Sequence, residues 1–348
     1  MTPLIGLVWF FSVLSIVLTL LPLIRSARWW IRVWDYPRLQ LAAVLALLLV
    51  AQVTLTPANI PLAIVTAAAC GWQVFSIWPY TRAHRVQSLP AKVRDRDNEL
   101  SVMVANVLQD NRNARGLLDI VDEMEPDILI TVETNAWWDA QLAVLAAHFP
   151  FNVRIPLENT YGMHVFSRLE LKDVRVRELV SPGIPSVRAT VKLRSGKECE
   201  LYALHPEPPL PHKDVEERDA ELLLVAREAK EHRRPTIVAG DLNDVAWSHT
   251  TRLFQRVSSL LDPRVGRGLF ATFHTGHWLM RWPLDHLFHD ASFRLAQIKV
   301  LRAYGSDHFP IYASLVHDPA AAARVAKPRA DEKDKEEVSE KIAAGVST

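Results

Sequence analysis

Between Met1 and Ile24 the chain carries no charged side chain, and between Leu39 and Thr81 it again carries none. A bilayer core of about 30 Å is crossed by about 20 apolar residues at the helical rise of about 1.5 Å per residue. The first stretch is long enough for one crossing. The second is long enough for two, with Thr56-Pro57-Ala58-Asn59 as the turn between them. The pattern predicts three spans over about 4–24, 39–56 and 59–79, within an anchor covering 1–80. A cleaved signal peptide is the alternative for the first, but the N-terminus has no Lys or Arg, and the apolar run is too long for one and ends at Pro22-Leu23-Ile24-Arg25. A lipid bilayer is therefore the first expected partner, and the expected location is an inner or plasma membrane crossed several times.

Arg25, Arg28, Arg32 and Arg38 stand against Asp35 in the loop between the first two spans, and Arg82, Arg85, Lys92, Arg94 and Arg96 follow the third. The preference of basic loops for the cytoplasm places both flanks, and the C-terminal bulk, on that side. If the first helix did not cross, the bulk would face the other way. Trp29, Trp30, Trp34, Trp78 and Tyr80 suit an interfacial belt or the packing of a short amphipathic segment. The whole-chain mean hydropathy of +0.04 and net charge of +1 average over two unlike parts. Residues 1–81 carry +3, and residues 82–348 carry 36 basic against 38 acidic side chains, a net −2. That balance argues against a nucleic-acid surface spread over the whole domain. Cys70 and Cys199 are too few for a disulfide framework or a cysteine-rich zinc module.

Residues 81–98 are charged, aperiodic and interrupted by Pro90, and read as a linker. From 99 to 317 short apolar runs alternate with helical periodicity. Leu100–Val107 and Ile128–Val132 read as buried strands around a helix near Ala114–Met124, with a second helix at Ala136–Ala147. Strand-like runs then cluster before a long helix near Asp214–His232 and return after it, the pattern of sheets packed between helices in an α/β or α+β sandwich. Residues 318–348 are alanine-rich and then of mixed charge, and read as a disordered tail, with a helix as the alternative.

Several apolar runs deliver one polar group at their ends. Asn106 closes Val104-Ala105-Asn106, Glu133 closes Ile128–Val132, and Asp241 and Asn243 lie in Gly240-Asp241-Leu242-Asn243. His205 precedes Pro206, Asp285 lies in Pro283-Leu284-Asp285-His286, and Asp307 and His308 lie in Gly305-Ser306-Asp307-His308. Polar groups on loops at one edge of a rigid sheet are how sites are built. Oxygen donors without cysteine suit a hard cation such as Mg²⁺.

These segments resemble the endonuclease/exonuclease/phosphatase superfamily, which includes DNase I-like nucleases, neutral sphingomyelinases and inositol-polyphosphate 5-phosphatases. The resemblance covers about residues 99–316, and its most specific parts are Gly-Asp-Leu-Asn at 240–243 and Ser-Asp-His at 306–308. It implies a four-layered α/β sandwich with two packed β-sheets, here preceded by three transmembrane helices. It implies Glu133 as the principal ligand of Mg²⁺ (or Mn²⁺), with Asn106 beside it and Asp307 adding to that site or holding its loop. Asp241 and Asn243 would orient the attacking water and the phosphate. His308, oriented by Asp285, would act as base or phosphate-stabilising group, and His205 would bind phosphate or protonate the leaving group. No glutamate stands in clear register to partner His205; Glu158, beside Tyr161-Gly162-Met163-His164, is nearest.

The expected function is that of a membrane-anchored, divalent-metal-dependent phosphoesterase using in-line attack by water. Its substrate is a nucleic acid, a phospholipid or a small molecule, and no protein partner is inferable. The alternative is a catalytically silent membrane scaffold. The basic, aromatic stretch Arg264–Trp282, with Arg267, His274, His277, Trp278 and Arg281, either contacts substrate or forms a membrane-facing or solvated loop.

Overall fold

The computed structural model describes residues 3–232 and 234–347. Its first part is a bundle of α1 (Pro3–Leu20), α3 (Arg38–Leu55) and α4 (Ile60–Ile77), with the one-turn α2 (Trp29–Arg32) between α1 and α3. Three stretches, Pro3–Ile24, Arg38–Leu55 and Ile60–Tyr80, are long and apolar enough to cross a membrane. The bundle buries polar side chains among apolar ones such as Val8, Leu41 and Leu45, and its outer surface is apolar. Gln52 Nε2 donates to Ser12 Oγ at 2.6 Å and to Thr66 Oγ1 at 3.0 Å, and Gln73 Nε2 donates to Thr19 Oγ1 at 3.0 Å. Phe10, Leu47, Val50, Ile64 and Phe75 point outward.

The remaining elements are β1 (Glu99–Asn106), α5 (Ala114–Met124), β2 (Ile128–Val132), α6 (Ala136–Leu142), β3 (Phe151–Ile155), β4 (Met163–Ser167), β5 (Leu171–Arg177), β6 (Ser186–Lys192), β7 (Glu198–Leu204), α7 (Glu216–Glu231), β8 (Thr236–Asp241), α8 (His249–Ser258), β9 (Asp285–His289), β10 (Phe293–Val300), β11 (Ile311–His317) and α9 (Glu332–Val346). They form two mixed sheets, one ordered β10-β11-β1-β2-β4-β3 and the other β5-β6-β7-β8-β9. The core lies between the sheets. Alternation along β1 sends Leu100, Val102 and Val104 into it and turns Met103 and Ala105 outward under α5 and α6. Leu222, Val225 and Ala226 of α7 cover Tyr202, Val238 and Phe288 on the other sheet. The result is the expected four-layered α/β sandwich, in which β1, β2 and β8 are buried on both faces and read as continuous apolar runs.

Two segments differ from the sequence expectation. Residues 332–346 fold as α9 instead of a disordered tail. Val338 and Ile342, four residues apart on one face, pack on Leu223 and Leu253, and the charges find partners on older elements. Arg256 pairs with Asp334 at 2.7 Å, His249 with Glu337 at 2.6 Å, and Lys341 with Asp219 at 2.9 Å. Residues 81–98 have almost no regular structure, yet they are strapped to the sandwich. Ala91 N donates to Leu295 O and Leu295 N to Leu89 O, at 2.8 and 2.9 Å.

The helical bundle is welded to the sandwich. Tyr36, Ile77 and Tyr80 share a cluster with Val245, Ala246 and Trp247. Tyr80 donates to Ala246 O at 2.5 Å and Trp247 Nε1 to Asp35 O at 2.7 Å. Under this seam lie Arg32, Asp35, Arg218, Asp219 and Asp244, all nearly without exposure. Arg32 reaches Asp35 at 3.6 Å and Asp244 at 3.4 Å, and Arg218 reaches Asp219 at 2.9 Å.

The strap is pinned through His289. Its Nδ1 donates to Asp290 O at 2.8 Å, so its Nε2, 2.7 Å from Ser88 Oγ, accepts from that hydroxyl. Burial, only partly offset by the Asp290 carbonyl, pushes this imidazole down to about 4 from 6.5. The unfolded ring protonates as pH falls through 6.5 and the folded ring resists until about 4. This contribution is therefore whole above 6.5 and falls by about 3 kcal/mol across that window. Thermal unfolding of the full chain in detergent is expected to lose stability over that range, with His289→Gln flattening the loss; an unchanged slope would refute the assignment.

Candidate active site

Asn106, Glu133, His205 and Asp241 sit at or just beyond the C-terminal ends of β1, β2, β7 and β8, where the parallel pairs β1/β2 and β7/β8 open toward one edge of the sandwich. Asp285 begins β9, antiparallel to β8 and opposite Asp241. His308 comes from the loop before β11. Gly240 is required where it stands: its φ is +150°, and a Cβ there would lie 1.8 Å from Leu204 O on the neighbouring strand.

Asn106 joins two acids. Its Nδ2 donates to Glu133 Oε1 at 2.7 Å and to Asp241 Oδ2 at 3.1 Å, while its Oδ1 accepts from Leu108 N at 2.9 Å. Glu133 Oε2 accepts from Gln109 N at 3.3 Å. Glu133 has a φ of +63°, a strained conformation for a side chain of its kind and one often held at functional sites. Asp241 is also fixed from behind, its Oδ1 accepting from Asn243 N at 3.0 Å.

On the other side of Asp241 lies a histidine–carboxylate pair. His308 Nδ1 is 2.8 Å from Asp285 Oδ2, and His308 Nε2 is 3.6 Å from Asp241 Oδ2. Burial disfavours a charged ring, but the carboxylates of Asp285 and Asp241 outweigh it and push this imidazole up to about 10. Phe273 covers the ring, with centroids 4.9 Å apart. His205 Nε2 is 4.0 Å from the same Asp241 oxygen, under the ring of Tyr161. Burial, with Glu207 and Glu133 nearby, pushes the Tyr161 hydroxyl up to about 12.

Seven of the eight sequence-chosen residues thus have side chains in one constellation or at its margin. Asn243 is marginal, because its Nδ2 donates to Pro206 O at 2.9 Å and so holds the His205 loop. Its carbonyl accepts from Tyr36 of the anchor at 2.7 Å and from Arg218 at 2.8 Å. Asp307 lies outside the constellation but touches a support of it: its Oδ1 accepts from Ser306 Oγ at 3.5 Å, its carbonyl accepts from Thr275 N at 2.8 Å, and its half-buried carboxylate adds to the field on His308. Glu158 does not partner His205. It accepts from Ala136 N and Asn135 Nδ2 at the start of α6, and His205 Nδ1 has no partner among the described residues. His164 turns away, to Asp139 at 2.7 Å.

Sequence reasoning missed the supports. Tyr304 and Ser306 both donate to Asn106 O at 2.7 Å, and Ser306 Oγ also accepts from His308 N at 3.0 Å. Gln109 was missed as well, and Tyr161 and Phe273 lay in stretches, 161–164 and 264–282, that were noted without a role for either ring. Tyr304 and Ser306 stand within four residues of His308, the one signal available.

The donors fit a hard divalent ion. Two carboxylate oxygens converge on the single Asn106 amide nitrogen, and all the ligand-grade atoms at the site are oxygen or imidazole nitrogen. Asp241, Asp285 and His308 also bring one ligand atom each within 4.8 Å of one another. In that trio Asp285 Oδ2 accepts the proton of His308 Nδ1, while its buried Oδ1 has no hydrogen-bond partner among the described residues.

The model of the Endonuclease/Exonuclease/phosphatase family matches residues 103–308. The chain belongs to this family. The family's members are metal-dependent nucleases and phosphatases, so the general kind of reaction is phosphoester hydrolysis. Solved structures share the fold. D. rerio TDP2 complexed with single strand DNA product is 18% identical, with a TM-score of 0.52 over 63% of this chain and 99% of that one. The human Nocturnin catalytic domain with bound sulfate anion is 16% identical, with a TM-score of 0.51 over 65% and 96%. A family protein from Beutenbergia cavernae DSM 12333 is 18% identical, with a TM-score of 0.52 over 64% and 72%. No curated protein matches by sequence.

The doubly used Ser306 hydroxyl ties the metal-side strand to the histidine. Ser306→Ala is expected to cost about 1 kcal/mol in thermal unfolding and to slow hydrolysis. Tyr304→Phe is expected to cost as much stability with a smaller loss of rate. Equal rate losses would contradict separate roles for the two hydroxyls.

Proposed function

We propose that the chain is a membrane-anchored, divalent-metal-dependent phosphoesterase, with residues 1–80 as a three-span anchor and 99–317 as a cytoplasmic catalytic domain. The observation that carries the reading is the placement of Asp241 between two devices, the Glu133–Asn106 pair and the His308–Asp285 pair. Glu133, with Asp241 opposite, would hold Mg²⁺ or Mn²⁺, which neutralises charge on the phosphoester and lowers the pKa of a bound water, and Asn106 brackets the two acids through its Nδ2.

The protein's own groups supply the rest. Asp241, held by the Asn243 amide, orients the attacking water and accepts its proton. His308, kept as imidazolium by two carboxylates, donates from Nε2 to a phosphate oxygen as negative charge spreads in the transition state. That favours the phosphate-stabilising role over the general-base role. His205 adds a second imidazole at the phosphate. Water's oxygen forms the new bond to phosphorus as the bond to the leaving oxygen breaks in line. A silent scaffold would not need two acids and two imidazoles gathered around a third, buried carboxylate.

Full-length protein in detergent is expected to hydrolyse bis-p-nitrophenyl phosphate with Mg²⁺ or Mn²⁺ and to stop in EDTA. Glu133→Gln should lose about 10³-fold or more; undiminished activity would sink the assignment. Asp285→Asn should lose about 10²–10⁴-fold. It should also move the alkaline limb of the pH–rate profile to lower pH, because the charge that raises His308 is gone; a limb that stays in place would reject the imidazolium role.

A further inference from the structure

The active-site edge is built against the bundle, and one hairpin ties the two together. Residues 272–282 fold back so that Phe273 pairs with both Trp282 and His308. At its base the hairpin grips the catalytic segment: Thr275 N donates to Asp307 O and Thr275 Oγ1 to Ser306 O, both at 2.8 Å. Its tip is the turn closed by Met280 N donating to His277 O at 3.0 Å. The tip holds three consecutive apolar side chains in the open, Trp278 (76% exposed), Leu279 (59%) and Met280 (46%). Such a run on a soluble surface is a liability unless something covers it.

The fold places this tip beside the membrane helices. Gln40, in the first turn of α3, donates from Nε2 to Leu279 O at 2.5 Å. Tyr36, just before α3, packs edge-on against Trp282, with centroids 5.7 Å apart. The opposite rim of the cleft runs to the same level. In the loop that follows His205, Asp214 Oδ1 accepts from Trp29 N and Val215 N donates to Ala27 O, both at 3.0 Å. Trp30 and Trp78 are exposed at this end of the bundle, with Arg25, Arg28 and Arg281. Aromatic and basic side chains at one level mark the headgroup zone of a bilayer.

We infer that the 276–281 tip inserts into the bilayer surface, so that the cleft opens on the headgroup plane and hydrolyses the phosphoester of a membrane lipid. The inference rests on the phosphoesterase reading above and names the source of its substrate. The bilayer is the occupant because the apolar tip is continuous with the lipid-facing helices through Gln40, and because the net −2 of residues 82–348 offers no broad surface to a polyanionic nucleic acid.

Two measurements test it on the full chain in phosphatidylcholine vesicles containing phosphatidylglycerol. In Leu279→Cys on a Cys70→Ser background, a polarity-sensitive fluorophore is attached at 279; Cys199 is buried and stays unlabelled. The expected result is quenching by nitroxide-labelled lipid and protection from aqueous iodide. Quenching by iodide alone overturns insertion. The second measurement compares methyl and hexadecyl p-nitrophenyl phosphate, which share one reacting centre and differ only in whether the tail enters the bilayer. Tail-anchored substrate is expected to turn over at least about ten-fold faster per mole, because partition raises its local concentration at the cleft. The triple variant Trp278→Ser, Leu279→Ser, Met280→Ser is expected to remove about ten-fold of the hexadecyl rate and leave the methyl rate within about two-fold. Equal rates on both esters, or a variant indifferent to the tail, overturn the lipid assignment while leaving the phosphoesterase reading intact. Failure on both esters, with the fluorophore buried in lipid, overturns the phosphoesterase reading instead.

Discussion

Two arginines and three aspartates sealed beneath the seam between anchor and sandwich hold the rest of the structure in register. Arg32 belongs to the anchor loop, Asp219 and Arg218 to α7, and Asp244 to the segment just after β8. Removed from water, none of these charges is tolerable alone, and their mutual attraction offsets the desolvation only if all are in place. Thr250 of α8 and Lys341 of α9 complete the set, donating to Asp219 Oδ2 at 2.7 and 2.9 Å. The network therefore specifies an arrangement of five segments, and burial of Val338 and Trp247 supplies the apolar stabilisation around it.

That arrangement bears directly on the site. Asp244 follows Asn243, whose carbonyl is held by Tyr36 and Arg218 and whose amide orients Asp241. From Asp241 the chain of contacts runs through Asn106 to Glu133 in one direction and through His308 to Asp285 in the other. The central carboxylate is thus positioned by a tyrosine from the segment between α2 and α3. Three acids so close together repel one another, and the amide and the protonated imidazole lower that cost until a cation does so.

The sandwich was legible because its strands are buried on both faces and so are uniformly apolar, as in Val102–Ala105 and Ile237–Ala239. The site was legible because each such strand ends abruptly in a single polar side chain. Other parts depend on contacts between residues far apart in sequence. Helix α9 has too few apolar residues to declare itself, and its ion pairs with α7 and α8 exist only after folding. Arg32 and Arg38 read as topology-setting loop charges, yet both are buried, with Arg38 2.6 Å from Asp35. The basic flank before α3 is carried in the open by Arg25 and Arg28. No glutamate stood in clear register to orient His205, and the backbone turns the nearest, Glu158, to the start of α6.

The claim that the anchor loop completes the catalytic loop is tested most directly by comparing hydrolysis of bis-p-nitrophenyl phosphate by residues 82–348 alone with that by the full chain, at matched concentrations of folded protein. Without Arg32 and Tyr36, Asp244 loses a buried partner and the Asn243 carbonyl loses a donor, so Asp241 is no longer held. The expected result is a loss of about 100-fold, the scale set by a displacement of about 1 Å at a reacting centre. Equal rates from the two proteins would contradict the account.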